Sequence, residues 1–280
     1  MTAAGVDTRS KSAARIRKPL HLVAGSLFGI ALASIAFAGE APLVALRLID
    51  PSIHQDMRYA GTDNFTGRRV PGYESGECWL RPAAARALAK VEAELAKASP
   101  PLALLVFDCY RPKRAVAAFM EWAAAPDDGR TRHYHPNLAR RSLVSLGYIG
   151  RNSTHSRGIA VDLTIIRKDG GDIPAKRTAT VSSAAARTAC TDASDQDRNP
   201  AALDMGTSFD CFDPKSNTEH ASLDLDQHHA RQTLKRVMRR HGFENYAKEW
   251  WHYTFPAADD GRAFDMPVGK PAEAPVDVPK

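Results

Sequence analysis

The sequence predicts an α+β fold in which helices pack against an antiparallel sheet. The 280-residue chain has 44% hydrophobic and 25% charged residues, which is typical of an ordinary globular protein. Three segments have the apolar periodicity of amphipathic helices, and three others have the composition of strands. Because these segments do not alternate in βαβ order, a parallel α/β sheet is not expected.

The predicted helices are Pro82–Lys97, Lys113–Ala125 and Gln227–His241. Pro82 suits the first turn of its helix, where a missing backbone N–H costs nothing. Gly242 follows the third helix and is a natural residue for its C-terminal end, since glycine readily adopts a left-handed backbone.

The predicted strands are Leu102–Phe107, Gly158–Ile166 and Trp250–Phe255. The first is a short continuous apolar run, and the third is rich in aromatic residues that favour β-structure. The second alternates, so that Asp162 falls on its less apolar face among small neighbours. This arrangement leaves room around the Asp162 carboxylate.

The first 38 residues have the layout of a signal peptide. A basic stretch ends at Lys18, and the apolar run Leu20–Ala38 closes with Ala36-Phe37-Ala38, the small-x-small pattern of a cleavage site. We predict export to the periplasm or medium, with no stable membrane association after cleavage. The alternative is an uncleaved membrane anchor, although glycine, serine and alanine make this run weakly apolar for a membrane span.

The remaining chain is predicted to form one domain over residues 39–266. Within it, Arg167–Ala202 is polar and poor in aromatic residues, and we interpret it as an inserted loop. Residues 267–280 are rich in proline and lack aromatic residues, which predicts a disordered tail.

The basic character of the chain does not indicate nucleic-acid binding. Five basic residues and one acidic residue within residues 1–38 account for most of the formal net charge of +6. The basic run Lys235–Arg240 contains no aromatic residue on which a base could stack, so it is interpreted as a solvated helix face.

The four cysteines are even in number, as expected for structural disulfides in an exported protein. Sequence alone permits three pairings. We favour Cys78–Cys109 and Cys190–Cys211, because the second pair would close a polar segment that has little to pack against. No two cysteines have the C-x-x-C spacing of a metal site.

Two segments far apart in the sequence together supply the parts of a hydrolytic zinc site. The segment Ser153–Asp162 contributes His155 and Asp162, and the later one contributes His252 with Glu249 three residues before it. A catalytic zinc binds three nitrogen or oxygen ligands and leaves a position for water. The remaining carboxylate, Glu249, is suited to take that water's proton. The sheet is therefore predicted to carry one zinc ion.

The spacing of Glu249 and His252 conflicts with a regular strand, which would place the two side chains on opposite faces. If both serve one metal, Glu249 must precede the strand or lie in a bulge. The other histidines near helices and turns are not expected to be ligands; they are His220, His228, His229 and His241.

Arg111 is a further candidate, because it follows a buried strand and precedes a helix. The residues around it, Asp108, Tyr110 and Pro112, indicate a constrained turn that fixes the direction of the guanidinium. A fixed arginine near zinc can bind the developing oxyanion of a tetrahedral intermediate. An ordinary surface arginine remains the alternative.

Three motifs resemble those of a known family. They are S-x-H-x-x-G-x-A-x-D at Ser153–Asp162, Y-R-P at Tyr110–Pro112 and E-W-W-H-Y at Glu249–Tyr253. Together they resemble the VanX-type D-alanyl-D-alanine dipeptidases, zinc peptidases related to D-Ala-D-Ala carboxypeptidases and to the zinc domain of Hedgehog proteins. The similarity covers most of residues 50–256 and implies the same α+β fold.

The resemblance implies that His155, Asp162 and His252 bind zinc. Glu249 would act as the general base and then as the acid, and Arg111 would stabilise the transition state. The implied activity is the zinc-dependent hydrolysis of D-Ala-D-Ala to two D-alanines in cell-wall peptide metabolism.

The resemblance also matches Ser153, Tyr59 and Asp210 to positions implicated in holding the two charged ends of the dipeptide. One alternative is a D,D-carboxypeptidase that trims peptidoglycan stem peptides. The other is an inactive zinc-stabilised binding module. Glu249 and Arg111 argue against the latter, since a structural zinc needs neither.

The export signal separates this chain from relatives that destroy the dipeptide in the cytoplasm as part of antibiotic resistance. An exported enzyme does not reach a cytoplasmic precursor pool. We therefore expect a role in recovering D-alanine from wall turnover.

Overall fold

The computed structural model describes residues 42–168 and 188–270. These residues contain four α-helices, α1 to α4: Leu46–Ile49, Pro82–Leu95, Lys113–Ala124 and Leu225–Arg240. They contain seven strands, β1 to β7: Val44–Ala45, His54–Gln55, Trp79–Leu80, Leu102–Asp108, Ala160–Arg167, Glu244–Asn245 and His252–Thr254. The predicted α+β class is confirmed.

The main sheet has five strands in the order β2-β4-β5-β7-β6. Strands β4, β5, β7 and β6 pair antiparallel, as predicted. The edge strand β2 instead pairs parallel with β4. The chain between these two strands contains α2, which supplies the long crossover that a parallel pair requires. A separate two-stranded sheet joins β1 and β3.

Helix α2 covers the sheet through a face of alanine, leucine and valine. Leu88 and Val91 are fully buried in the core. Glu92 on the same helix is also buried, and its carboxylate accepts a hydrogen bond from Leu104 N of β4 at 2.7 Å. Burial raises the pKa of this carboxyl group above its usual range. Helix and sheet are thus joined by both apolar and polar contacts.

Helix α4 begins two residues earlier than predicted. Asp224 caps its N-terminus by accepting a hydrogen bond from Gln227 N at 2.9 Å, and the Gln227 side chain bonds back to the backbone of Asp224. This reciprocal capping box fixes the start of the helix.

The predicted strand Trp250–Phe255 is shorter in the structure, where β7 covers only His252–Thr254. Trp250 and Trp251 belong to the preceding turn, and both indoles are fully buried. Trp250 N donates to Ser216 O at 3.1 Å, a loop partner rather than a strand partner. Side-chain burial therefore overrides the β-propensity of the two tryptophans.

Parts of the predicted loop and tail pack against the domain. Ala202, at the end of the predicted insertion, is buried and bridges Ile166 of β5. Val268, in the predicted disordered tail, is also buried, and its N–H donates to Gly72 O at 2.7 Å. The predicted signal peptide, residues 169–187 of the insertion and residues 271–280 of the tail lie outside the described residues.

Both predicted disulfides, Cys78–Cys109 and Cys190–Cys211, are present. Their four cysteines are buried. No helix within residues 42–168 and 188–270 is both long and apolar enough to cross a membrane.

Candidate active site

All eight predicted site residues line one cavity of about 460 Å³. This is within the size range of small-molecule sites in proteins. The eight residues come from separate parts of the chain, and the fold brings them together: Tyr59, Arg111, Ser153, His155, Asp162, Asp210, Glu249 and His252.

His155, Asp162 and His252 converge with ligand atoms within 4.8 Å of one another. Asp162 on β5 and His252 on β7 are register partners across the sheet. Asp162 Oδ1 lies 2.9 Å from His252 Nδ1 and 3.3 Å from His155 Nε2. Two imidazole nitrogens and one carboxylate oxygen form a donor set that suits a catalytic zinc.

The protonation of this cluster also suits a metal. Burial lowers the pKa of His252, which favours the neutral imidazole that binds metals. Burial alone would raise the pKa of Asp162, but the neighbouring His155 and His252 hold it far below its usual range. The carboxylate is therefore ionised at neutral pH.

His155 is oriented by its own backbone surroundings. Its Nδ1–H donates to Cys109 O at 2.6 Å, which leaves Nε2 directed at Asp162. Ser153 Oγ accepts a hydrogen bond from His155 N at 3.2 Å and caps the short 3₁₀-helix Thr154–Arg157. The bond from Nδ1–H to Cys109 O fixes the tautomer of His155, as such ring hydrogen bonds do in metal-binding histidines.

Gly158, which ends this 3₁₀-helix, explains the glycine of the first motif. Its φ of 71° lies in the left-handed region, and a Cβ atom there would collide with the Leu43 side chain. Only glycine satisfies both conditions. The turn then leads directly into β5 and Asp162.

Glu249 lies in the turn before β7, which resolves the spacing conflict of the sequence. His252 N donates to Glu249 O at 3.3 Å, so the two residues close a tight turn. Asn245 Nδ2 donates to both carbonyl oxygens, at 3.0 Å from Glu249 O and 3.1 Å from His252 O. Glu249 Oε2 consequently lies 3.9 Å from His252 Nδ1, on the same side of the sheet.

Arg111 is held by a carboxylate that the sequence analysis did not assign to the site. Asp108 Oδ2 accepts from Arg111 Nε at 2.9 Å and from its terminal nitrogen at 2.8 Å. Asp108 is fully buried and also accepts from the Tyr73 hydroxyl at 2.6 Å. The same guanidinium lies 3.4 Å from Asp162 Oδ2. The sequence feature that could have indicated this contact is the position of Asp108 three residues before Arg111.

Tyr59 and Asp210 form a buried pair on the cavity wall. The Tyr59 hydroxyl lies 3.1 and 3.0 Å from the two Asp210 carboxylate oxygens, to which it can donate. Burial, followed by the charge of Asp162, raises the pKa of Asp210 well above its usual range. This carboxyl group therefore gains from a cation placed beside it.

The charge balance of the cavity favours cations. The carboxyl groups of Asp162, Asp210 and Glu249 all face the cavity. Among its described lining residues, Arg111 is the only lysine or arginine. Burial raises the pKa of Glu249 well above its usual range, and the charges of Asp162 and Asp210 add to this effect. Bound positive charge would relieve this repulsion.

Comparison with known proteins finds a family model and relatives that share one description, D-alanyl-D-alanine dipeptidase. The family model described as D-ala-D-ala dipeptidase, Peptidase M15, matches residues 39–175 and 172–268. A D-alanyl-D-alanine dipeptidase of Enterococcus faecium is 34% identical over 230 residues, which are 80% of this chain and 98% of the relative. A namesake from Streptomyces coelicolor is 34% identical over 221 residues, covering 77% and 93% of the two chains. The Escherichia coli namesake is 32% identical over 216 residues, covering 77% and 86%.

Proposed function

This chain belongs to the D-ala-D-ala dipeptidase family of peptidases, and we propose that it hydrolyses D-Ala-D-Ala to two D-alanines with one zinc ion per chain. One observation carries the proposal. The cavity collects a His/Asp/His donor set, a separate buried glutamate and a fixed arginine, with a further carboxylate at Asp210. Each has a distinct use in cleaving a small charged peptide.

The donor set fits zinc, and His155, Asp162 and His252 would hold it. Bound zinc would polarise the scissile carbonyl and lower the pKa of a water molecule. The hydrogen bond from His155 Nδ1 to Cys109 O keeps the Nε2 atom of this histidine available as a ligand.

Glu249 would accept the proton of the attacking water and return it to the leaving amine. Its carboxylate is close to His252 but lies outside the group of three ligands. Arg111 would bind the oxyanion that forms on the substrate. Because Asp108 already holds the guanidinium, little reorganisation is needed when that charge develops.

The substrate's charged ends would be held on opposite sides of the scissile bond. Asp210, with Tyr59, would accept the free ammonium group, and Ser153 would contact the carboxylate. A peptide with a blocked amino terminus would leave the Asp210 carboxylate buried without its cation, which is costly. We therefore propose preference for a free dipeptide over a capped or longer peptide.

An exported enzyme with this activity would recover D-alanine from wall turnover. Two disulfides support export, because such bonds persist mainly in oxidising compartments.

The test is hydrolysis of D-Ala-D-Ala and of N-acetyl-D-Ala-D-Ala by the purified zinc-loaded protein, each with and without a chelator. We expect chelator-sensitive release of D-alanine from the free dipeptide and a rate at least about a hundredfold lower for the acetylated one. The Asp210→Asn variant should lose most of this preference while it retains zinc. Comparable cleavage of both substrates would favour a carboxypeptidase, and no cleavage of either would overturn the proposal.

A further inference from the structure

We propose that the Cys190–Cys211 disulfide and the buried Asp195 position the Asp210 carboxylate, and so determine how tightly the free ammonium end of the substrate is held. This inference rests on the proposed function, because it concerns the same site. Residues 188–202, the described C-terminal end of the predicted insertion Arg167–Ala202, would thereby have a role in the site.

The backbone of Asp210 must be held by its surroundings. Its φ of 62° is left-handed, and within residues 42–168 and 188–270 no other non-glycine residue has a positive φ. An L-amino acid rarely adopts this conformation unless neighbouring contacts impose it. The direction of the carboxylate depends on that conformation, so the contacts on either side of Asp210 decide where it points.

The two residues before Asp210 are held by the segment 188–202. Ser208 N donates to Cys190 O at 3.1 Å, and Phe209 N donates to Asp195 Oδ2 at 3.0 Å. Both acceptors thus come from residues 188–202, at the C-terminal end of the predicted insertion.

The residues after Asp210 are held equally firmly. Cys211 forms the disulfide to Cys190, and its carbonyl accepts from Ser216 Oγ at 2.7 Å. Phe212 N donates to Tyr134 O at 2.8 Å. The disulfide therefore connects the segment that supports residues 208 and 209 directly to the residue that follows Asp210.

The supporting segment is itself anchored. Asp195 is 2% exposed, and its Oδ1 lies 3.6 Å from the Arg58 guanidinium. That guanidinium lies over the Phe107 ring of β4, 4.7 Å from its centroid. Cys190 N donates to His133 O at 2.9 Å. Asp210 is thereby connected to the main sheet through Asp195 as well as through its own chain.

The second disulfide supports the other half of the site. Cys109 is bonded to Cys78, and its carbonyl is the acceptor for His155 Nδ1–H. Loss of Cys78–Cys109 should therefore disturb the metal ligand, and loss of Cys190–Cys211 should disturb the ammonium site. The two disulfides are matched controls for each other.

The experiment compares two double variants of the full protein, Cys190→Ser with Cys211→Ser and Cys78→Ser with Cys109→Ser. The Cys190/Cys211 variant should raise KM for D-Ala-D-Ala about tenfold or more through misplacement of one binding group. Its preference for D-Ala-D-Ala over N-acetyl-D-Ala-D-Ala should fall by a similar factor. Its kcat and zinc content should stay within about twofold of the wild-type values. The Cys78/Cys109 variant should instead lower zinc affinity and retain the preference.

Asp195→Ala provides a second test that leaves both disulfides intact. It removes the acceptor of Phe209 N, while Arg58 keeps Asp56 and Arg198 keeps Asp63 as ion-pair partners. We expect the same rise in KM and loss of preference. An unchanged KM and preference in this folded variant would overturn the inference. A wild-type protein that cleaves neither substrate would instead overturn the proposed function itself.

Discussion

Glu249 lies beside the three candidate metal ligands but outside their group, which suits the proton transfer we propose for it. Its carboxylate is buried beside His252, and the turn that carries it is fixed by Asn245. Burial raises the pKa of Glu249, so the folded protein disfavours its charged form in the absence of a bound cation. A neutral residue of the same shape is therefore compatible with this position.

We predict that Glu249→Gln abolishes most of the activity but not the fold or the metal site. Loss of a general acid–base group should lower kcat by about 10²–10⁴-fold. Zinc content should be unchanged, because the three ligands are untouched, and Tm should be unchanged or higher. Steady-state kinetics, metal analysis and thermal unfolding check these outcomes. Loss of zinc from the variant would show that Glu249 is itself a ligand.

Short motifs predict the candidate metal ligands and Glu249, but they do not predict the residues that support them. His155 and Asp162 lie in one motif, and Glu249 and His252 lie in another. The sequence places Asp108 in the turn around Arg111, but its hydrogen bonds from Tyr73 and Arg111 are created only by the fold. A charged side chain in a buried strand is informative only when its partners are known.

At the scale of elements, residues 259–269 form a C-terminal strap across the 3₁₀-helix that carries His155. Phe264 N donates to Ser156 O at 2.8 Å, next to that histidine. Farther along, the Tyr110 hydroxyl donates to Met266 O and Trp79 Nε1 donates to Gly269 O, both at 3.0 Å. The strap therefore stabilises the segment that presents the candidate metal ligand His155.

Ion pairs attach this strap to the domain. Asp259 pairs with Arg157 and Asp260 with Arg81, and Asp265 Oδ1 lies 3.1 Å from Arg114 Nε. A hydrogen bond from Arg262 N and the arginine side chains lower the pKa of Asp260 to about 2. A hydrogen bond from Arg114 likewise lowers the pKa of Asp265.

We predict that the strap detaches in acid before the sheet unfolds. The carboxyl groups of Asp260 and Asp265 have folded-state pKa values below the ordinary value of 3.8, so they stabilise the strap above that pH. Their contribution is lost as the pH falls towards 2. Hydrogen-exchange protection factors at the Phe264 amide should fall over this range while those of β4 persist.

Asp265→Asn is the variant to compare, since it removes one of the titrating pairs. Its Phe264 amide should be less protected at neutral pH and should change less on acidification. Equal loss of protection at Phe264 and in β4 would show that acid unfolds the domain as a unit.

Among the elements, the long helices and β4 and β5 were the most predictable. Their apolar patterns, periodic in the helices and β5 and continuous in β4, involve only neighbouring residues, so a single sequence reveals them. The parallel pairing of β2, the shortened β7 and the burial of Val268 depend on partners far away in the chain. Local propensity carries no information on such partners.

At the scale of the whole molecule, both disulfides lie beside site residues, so activity and compartment are coupled. Cys109 adjoins Asp108, and Cys211 adjoins Asp210. In a reducing compartment these bonds would not persist. We therefore expect an oxidising environment to be needed for full substrate and zinc affinity, and the predicted signal segment to bring the chain there.

We predict that residues 1–38 are removed during export, so that the mature chain begins at Gly39. The family match also begins at residue 39, immediately after the predicted cleavage site. A signal peptidase requires small side chains at Ala36 and Ala38 but tolerates the residue between them. Ala38→Tyr should therefore block cleavage, and Phe37→Leu, the matched control, should not.

The measurement is the intact mass and cell fraction of the full chain expressed in a bacterium with a C-terminal tag. Wild type and Phe37→Leu should appear outside the cytoplasm with the mass of a chain that begins at Gly39, and Ala38→Tyr should accumulate uncleaved at the membrane. Uncleaved wild type in the membrane fraction would indicate an anchor instead. Full-length wild type in the cytoplasm would remove the basis for a role in wall turnover. It would also leave both disulfides, and the Asp210 site that depends on one of them, without the environment that keeps them oxidised.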